Sequence, residues 1–154
     1  MSQVESYRDL VVWQKAMTLT EEVYKLSEAF PPREQYGMTA QLRRAAVSVV
    51  ANVAEGHSRG TRKDYAHFIS MAKGSLAEVE TYLILAGRLH LADREVIRPV
   101  WLLAEEVSKM LTTLHHRLLE SQGSPPGSQH WPALFPGPWN LEPAPWNLPK
   151  RDPP

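Results

Sequence analysis

Residues 41–56 read QLRRAAVSVVANVAEG, and they determine the fold class more directly than any other stretch of this 154-residue chain. At about 100° per residue, the apolar side chains of a helix built from this stretch spread over roughly 200°, whereas a surface helix usually shows a stripe of about 100°. Only Arg43 interrupts the apolar arc, so the helix must bury two faces. The arc consists of Leu42, Ala45, Ala46, Val47, Val49, Val50, Val53 and Ala54.

The remaining side of this helix is a narrow polar ribbon. Its members fall within about 80° of one another, and they are Gln41, Arg44, Ser48, Asn52 and Glu55. A helix with neighbours on both sides and one thin polar strip indicates a bundle helix that also lies in a subunit interface. Periodicity equally allows the central helix of a monomeric bundle whose polar strip is solvated.

The helical pattern extends on both sides of this stretch. A first helix is predicted over residues 9–29, and it ends at Phe30 because the two prolines that follow exclude a helical backbone. The second helix is predicted to begin with Thr39 as its capping residue and to stop near Gly56, since glycine commonly ends helices.

Two more amphipathic helices follow. Thr61 and Asp64 have the spacing of a capping box, which predicts the start of a long third helix that reaches about Leu91. Asp93 is the expected cap of the fourth helix. Pro99 indicates either a later start of that helix or a kink near its beginning, and the later start is preferred.

Four amphipathic helices with short connections predict an all-α fold, an antiparallel up-down-up-down four-helix bundle formed by residues 1–122. Residues 123–154 contain ten of the thirteen prolines, and they are expected to form a proline-rich, disordered tail that is dispensable for folding. The tail repeats the sequence PWNL at 138–141 and 145–148. Its tryptophans indicate either anchors for a groove or an extension without a binding role.

The composition narrows the choice of partners and compartment. Lysine plus arginine (17) equals aspartate plus glutamate (17), so nucleic-acid binding would have to come from a local patch. The chain has no cysteine, no signal-peptide pattern and no apolar run long enough to span a bilayer. We therefore expect a soluble cytoplasmic protein that does not associate with membranes.

No catalytic or metal-binding motif is recognisable in the sequence. Phosphate-binding glycine loops, nucleophile elbows and the Glu-x-x-His pairs of di-iron bundles are all missing. His115 and His116 are adjacent, so they point to different sides of a helix and cannot share a metal. The sequence therefore predicts a protein without enzyme activity, catalytic residues, metal or cofactor.

The candidate binding residues are basic and surround the turn between the second and third helices. Such a cluster suits the oxygens of a phosphate backbone. The alternative is that these are ordinary solvated charges, with Arg43 or Arg44 paired to a glutamate. The candidate nucleic-acid-binding residues are Arg43, Arg44, Arg59, Arg62, Lys63 and Lys73.

Several spaced motifs between Tyr7 and Leu119 resemble the four-helix-bundle proteins encoded in intervening sequences of large-subunit ribosomal RNA genes. The resemblance implies a bundle that assembles into a barrel-like homopentamer, without catalysis. It also implies a distant relationship to the accessory protein of diversity-generating retroelements, which binds nucleic acid and a reverse transcriptase. The motifs are YRDLVVWQKA at 7–16, FP at 30–31, YGMT at 36–39, QLRRAA at 41–46, Ser48, Asn52, AEG at 54–56, Phe68, GSL at 74–76 and Glu78.

Two functional hypotheses follow from the residues and the resemblance together. The first is an oligomeric adaptor, most simply a homopentamer, that binds RNA or DNA through phosphate contacts. In such a ring, a modest basic cluster on each protomer would form a continuous positive surface. The second is a protein-interaction scaffold whose ring recruits a protein partner such as a reverse transcriptase.

Overall fold

The computed structural model describes residues 5–120, which form four α-helices: α1 (Val11–Glu28), α2 (Met38–His57), α3 (Arg62–Arg88) and α4 (Arg94–Glu120). Short 3-10 helices at Tyr7–Asp9 and Pro32–Glu34 precede α1 and α2. The described residues contain no strand. The all-α, four-helix prediction is confirmed. The predicted tail at 123–154 lies outside the described residues.

Each helix packs against two neighbours, in the cyclic order α1, α2, α3, α4. Contacts between α2 and α3 join Ser48 to Ser75 and place Gly56 beside Phe68, so the two helices run in opposite directions. The other neighbouring pairs are antiparallel by the same criterion. For example, Arg62 at the start of α3 reaches Arg117 near the end of α4.

The core is a column of aliphatic side chains along the bundle axis. Apolar side chains that recur at helical spacing in α1, such as Val12, Ala16 and Leu19, are buried, and α3 and α4 bury similar rows. Burying such a side chain contributes about 1.5–3 kcal/mol, so the column supplies most of the folding free energy. The largest fully buried side chains are Leu19, Val23, Leu42, Val49, Val53, Ile69, Leu76, Val79, Leu83, Val107 and Leu111.

The wide apolar arc of α2 is only partly covered within one chain. Leu42, Val49 and Val53 are in the core, whereas Val47 is 44% exposed. Val47 and the half-buried Val50 line an apolar groove between α1 and α2, together with Met17, Thr20, Glu21, Tyr24 and Ala51. The second apolar face of α2 therefore lies at the surface of the protomer.

The starts of α2 and α4 differ from the sequence-based predictions. Thr39 is not a cap: α2 begins at Met38, its N-cap residue Gly37 has no side chain to cap it, and Thr39 is buried inside the helix. The carboxylate of Glu34 accepts a hydrogen bond from the amide of Met38 (3.4 Å). α4 includes Pro99 and begins at Arg94, so the preference for a later start was wrong.

Pro99 is the sixth residue of α4 and therefore lies inside the helix, just beyond its first turn. A proline there removes a single backbone hydrogen bond. The flanking residues Ile97 and Val100 are buried in the core and Pro99 itself is exposed, so packing holds both sides of the proline in one continuous helix. Immediately before the helix, the carbonyl of Asp93 accepts hydrogen bonds from the amides of Val96 and Ile97 (both 3.1 Å).

Candidate nucleic-acid interface

The turn between α2 and α3 is fixed by hydrogen bonds at both of its ends. The Ser58 hydroxyl donates to the carbonyl of Ala54 (3.0 Å), which closes the last turn of α2. The Thr61 side chain accepts from the amide of Asp64 (3.1 Å), and its hydroxyl donates to the Asp64 carboxylate (2.7 Å). The predicted cap of α3 is confirmed, and the basic side chains of this turn project from a well-defined backbone.

A close approach of α2 to α3 sets the position of the turn. Gly56 lies where a methyl group would come within 2.7 Å of the Phe68 Cβ and 2.9 Å of the Tyr65 ring. Glycine is needed here because no larger residue fits between the two helices. The contact brings the end of α2 and the start of α3 together at one end of the bundle.

Three of the predicted binding residues come together at this end. Arg59 forms an ion pair with Glu55, and its guanidinium lies 4.7 Å from the centre of the Phe68 ring. Arg62 donates a hydrogen bond to the carbonyl of Arg117 (2.7 Å). Lys63 is exposed in the first turn of α3.

Arg117 is a fourth cation in this group, and the sequence analysis did not select it. It is exposed in the last turn of α4, and its carbonyl is the acceptor for Arg62. Antiparallel topology was the signal that could have identified it, because the end of a fourth helix lies beside the start of the third. We call Arg59, Arg62, Lys63 and Arg117 the basic end of the bundle.

The other predicted binding residues lie elsewhere. Arg43 points toward α1, where its Nε donates to the Ser27 hydroxyl (2.7 Å) and its guanidinium lies 4.6 Å from the centre of the Tyr24 ring. Arg44 is exposed, about 20 Å along α2 from the turn. The structure therefore does not unite the six predicted residues in one patch, because Arg43 is used to join α1 to α2.

Lys73 lies on the side of α3 that faces α4. It is half-buried, and its charge contributes to a lowered pKa of His115. Burial of the imidazole is the main cause of that lowered pKa, followed by the charges of Lys73 and His116. Lys73 therefore belongs to the seam between α3 and α4, about 15 Å along α3 from Lys63.

The polar ribbon of α2 is not a strip exposed along its whole length. Gln41, Arg44 and Glu55 are exposed, but the centre of the ribbon packs against α3. The Ser48 and Ser75 hydroxyls are 2.8 Å apart, and the buried Asn52 side chain donates to the Ser48 carbonyl (2.8 Å). Small polar side chains allow α2 and α3 to pack closely while satisfying each other's hydrogen bonds.

Neither a metal centre nor a membrane span is formed by the described residues. Within residues 5–120, no three histidine, aspartate or glutamate side chains form a group that could hold a metal ion. None of the helices in this range is long and apolar enough to cross a membrane.

Four packed antiparallel helices, with Arg59, Arg62, Lys63 and Arg117 grouped at one end, define a four-helix-bundle protein. The family model of 23S rRNA-intervening sequence proteins matches residues 8–113, and the chain belongs to this family. The match confirms the resemblance seen in the sequence.

One solved structure supports the fold. The chain is similar to a protein of unknown function from the S23 ribosomal protein family of Bacteroides thetaiotaomicron, with 24% identity and a TM-score of 0.63. The similarity covers 68% of this chain and 98% of the other. At this level of identity, it concerns the fold alone. No curated protein matches the chain.

Proposed function

We propose that this protein is a non-catalytic cytoplasmic adaptor that binds RNA or DNA phosphates through the basic end of the bundle. The observation that carries the proposal is the position of Arg59, Arg62, Lys63 and Arg117, which project from a capped turn and an adjacent helix end. Membership of a family named for a ribosomal RNA intervening sequence is consistent with a nucleic-acid partner.

The chemistry of the basic end suits phosphate oxygens. A guanidinium has five N–H donors, so Arg62 keeps donors for a ligand while one holds the Arg117 carbonyl. The start of α3 adds the partial positive charge of a helix N-terminus beside Lys63. The acids at this end include Glu55, Asp64 and Glu120, and Glu55 is paired with Arg59. No base-reading motif accompanies these cations, so binding should depend little on base sequence.

Charge removal at the turn tests the proposal. The triple variant Arg59→Gln, Arg62→Gln, Lys63→Gln should lose roughly two orders of magnitude in affinity for a fluorescent RNA at 0.1 M salt, since each phosphate contact contributes about 0.7–0.9 units to the log-log salt slope. Fluorescence anisotropy measures the affinity.

A matched control removes the same charge from the opposite end of the bundle. Arg88, Arg94 and Arg98 are exposed there, and their replacement by glutamine should change the affinity little. Melting temperatures of both triple variants check that the fold is retained. Equal losses of affinity in the two variants would show that only net charge matters and would contradict a localised site.

We further propose that the protein acts as a homo-oligomer, with a pentameric ring as the expected assembly. The α1–α2 groove supports this, because Val47 and Ala51 remain exposed in an apolar surface that a second copy could cover. A closed ring would repeat the basic end around its axis. Val47→Glu should reduce the mass measured by light scattering, whereas Gln41→Glu on the polar ribbon should not. A monomeric wild-type protein would contradict the ring.

The alternative function is a scaffold that recruits a protein partner such as a reverse transcriptase. The specific observation in its favour is the same apolar groove, since Tyr24 and Met17 line a surface suited to a partner helix. Partner retention at high salt would favour the scaffold, because apolar contacts resist salt. Binding of generic RNA that weakens as salt rises would favour the adaptor.

A further inference from the structure

A second groove lies between the start of α1 and the end of α4, next to the basic end of the bundle. Val12, Met110 and Leu114 are buried or half-buried at its base, and Val11 is 59% exposed at its edge. The cleft has a volume of about 350 Å³, and the remaining lining residues are Leu10, Lys109, Thr113 and Arg117. An apolar base bordered by two cations suits a short apolar segment that carries an acid.

The chain continues past the end of α4, which lies beside this groove, and its sequence contains such a segment. α4 ends at Glu120, one turn after Arg117, and the sequence continues to Pro154. An extended chain rises about 3.1 Å per residue, so the stretch between Glu120 and Trp139 can span roughly 59 Å. α4 is about 40 Å long. The continuing chain is therefore long enough to turn back and reach any part of the groove.

The two PWNL repeats differ in the residue that matters for this groove. Glu142 follows the first repeat directly, whereas Pro149 and Lys150 follow the second. A carboxylate would be attracted by Lys109 and Arg117, and a lysine would be repelled. Charge complementarity therefore selects the first repeat.

We propose that residues 138–142, PWNLE, dock in the α1–α4 groove of their own chain. Trp139 and Leu141 would cover the apolar base, and Glu142 would lie between Lys109 and Arg117. Tryptophan is well suited to this role because it buries a large area at a low cost in conformational entropy. A docked Glu142 would compete with a phosphate for Arg117, which also belongs to the basic end, but it would leave Arg59, Arg62 and Lys63 unaffected.

Methionine-methyl NMR of the full chain tests the docking. Met110 is the methionine in the groove, while Met17, Met38 and Met71 lie elsewhere and serve as internal references. Trp139→Ala should shift the Met110 methyl resonance by several linewidths because the indole ring current is lost. Trp146→Ala, in the second repeat, is the matched control and should leave Met110 in place.

Other outcomes overturn the proposal. An unmoved Met110 resonance in Trp139→Ala would show that the first repeat does not occupy the groove. Equal shifts in both tryptophan variants would contradict selection by Glu142. If unlabelled wild-type protein, added to labelled Trp139→Ala protein, restores the Met110 resonance, the groove takes a segment from a second copy instead of its own.

Charge reversal provides a second test with the same Met110 readout. Glu142→Lys should move the Met110 resonance toward its position in Trp139→Ala. Adding Lys109→Glu to that variant should return the resonance part of the way toward the wild-type position, because attraction between residues 109 and 142 is restored with its signs exchanged while Arg117 stays positive. Failure of the double variant to recover the resonance would contradict the proposed pairing.

Discussion

Replacement of Gly56 by alanine tests the close packing that positions the basic end. An added Cβ would lie 2.7 Å from the Phe68 Cβ, 2.9 Å from the Tyr65 Cδ2 and 3.3 Å from the Tyr65 carbonyl oxygen. Carbon atoms normally pack at about 3.5–4.0 Å. Backbone atoms and a Cβ cannot rotate away, so α2 and α3 would have to separate by nearly 1 Å.

Two opposing effects determine how much Gly56→Ala changes the free energy of unfolding. Overpacking of this kind costs about 1–3 kcal/mol. Alanine regains up to about 1 kcal/mol of helix propensity over glycine, and less in the last turn of a helix. We expect Gly56→Ala to lower the free energy of unfolding by about 1–2 kcal/mol, which corresponds to roughly 4–8 °C in melting temperature for a domain of this size.

Gly74→Ala is the matched control. Apart from the neighbouring backbone of its own helix, no atom lies within 4 Å of a Cβ added at Gly74, which is also inside a helix. Alanine should therefore stabilise the protein there by about 0.5–1 kcal/mol. Urea denaturation followed by circular dichroism measures both variants, at one protein concentration because assembly affects apparent stability. A Gly56→Ala protein as stable as the wild type would refute the packing reasoning.

Three further predictions concern other parts of the chain. Arg43→Lys should lower the free energy of unfolding by about 1 kcal/mol, because lysine cannot keep both the Ser27 hydrogen bond and the stacking on Tyr24. Arg44→Lys is the control. Equal urea midpoints for the two variants would contradict the structural role of Arg43. Burial, reinforced by the charge of Glu105, raises the pKa of Glu80. The stability that this raised pKa contributes is fully present below the ordinary pKa of 4.5, and it is lost as the pH rises through the raised pKa. In thermal melts, Glu80→Gln should therefore stabilise the protein at pH 7 but not below pH 4.5. Truncation after Gln122 should leave the helical circular dichroism signal of the bundle unchanged, and a loss of helix would show that residues 123–154 are required for folding.

Periodicity was sufficient to predict the helices and their buried faces. The core positions of α1, such as Ala16 and Leu19, recur at helical spacing and are buried. Helix starts were harder to predict because they depend on tertiary contacts. Thr39 has the chemistry of a cap, but the carboxylate of Glu34 holds the start of α2 and leaves Thr39 to be buried inside the helix.

The sequence was sufficient to predict which residues of the candidate site are charged, but not where their side chains point. The sequence shows that Arg43 and Arg59 are basic, yet only the packing of α1 against α2 shows that Arg43 is occupied by Tyr24 and Ser27. Arg117 is far from the turn in sequence and joins it through antiparallel topology. Side-chain direction and long-range proximity are properties of the packed bundle, so a pattern of charges alone cannot supply them.

The salt dependence of nucleic-acid binding tests the proposed function most directly. Wild-type protein should bind several unrelated RNA sequences with similar affinity, and the logarithm of each binding constant should fall linearly with the logarithm of salt concentration. Three phosphate contacts predict a slope of about −2 on single strands, and a fourth through Arg117 brings it to roughly −3. Absence of binding at low salt, or a binding constant that does not change with salt, would contradict phosphate recognition by the basic end.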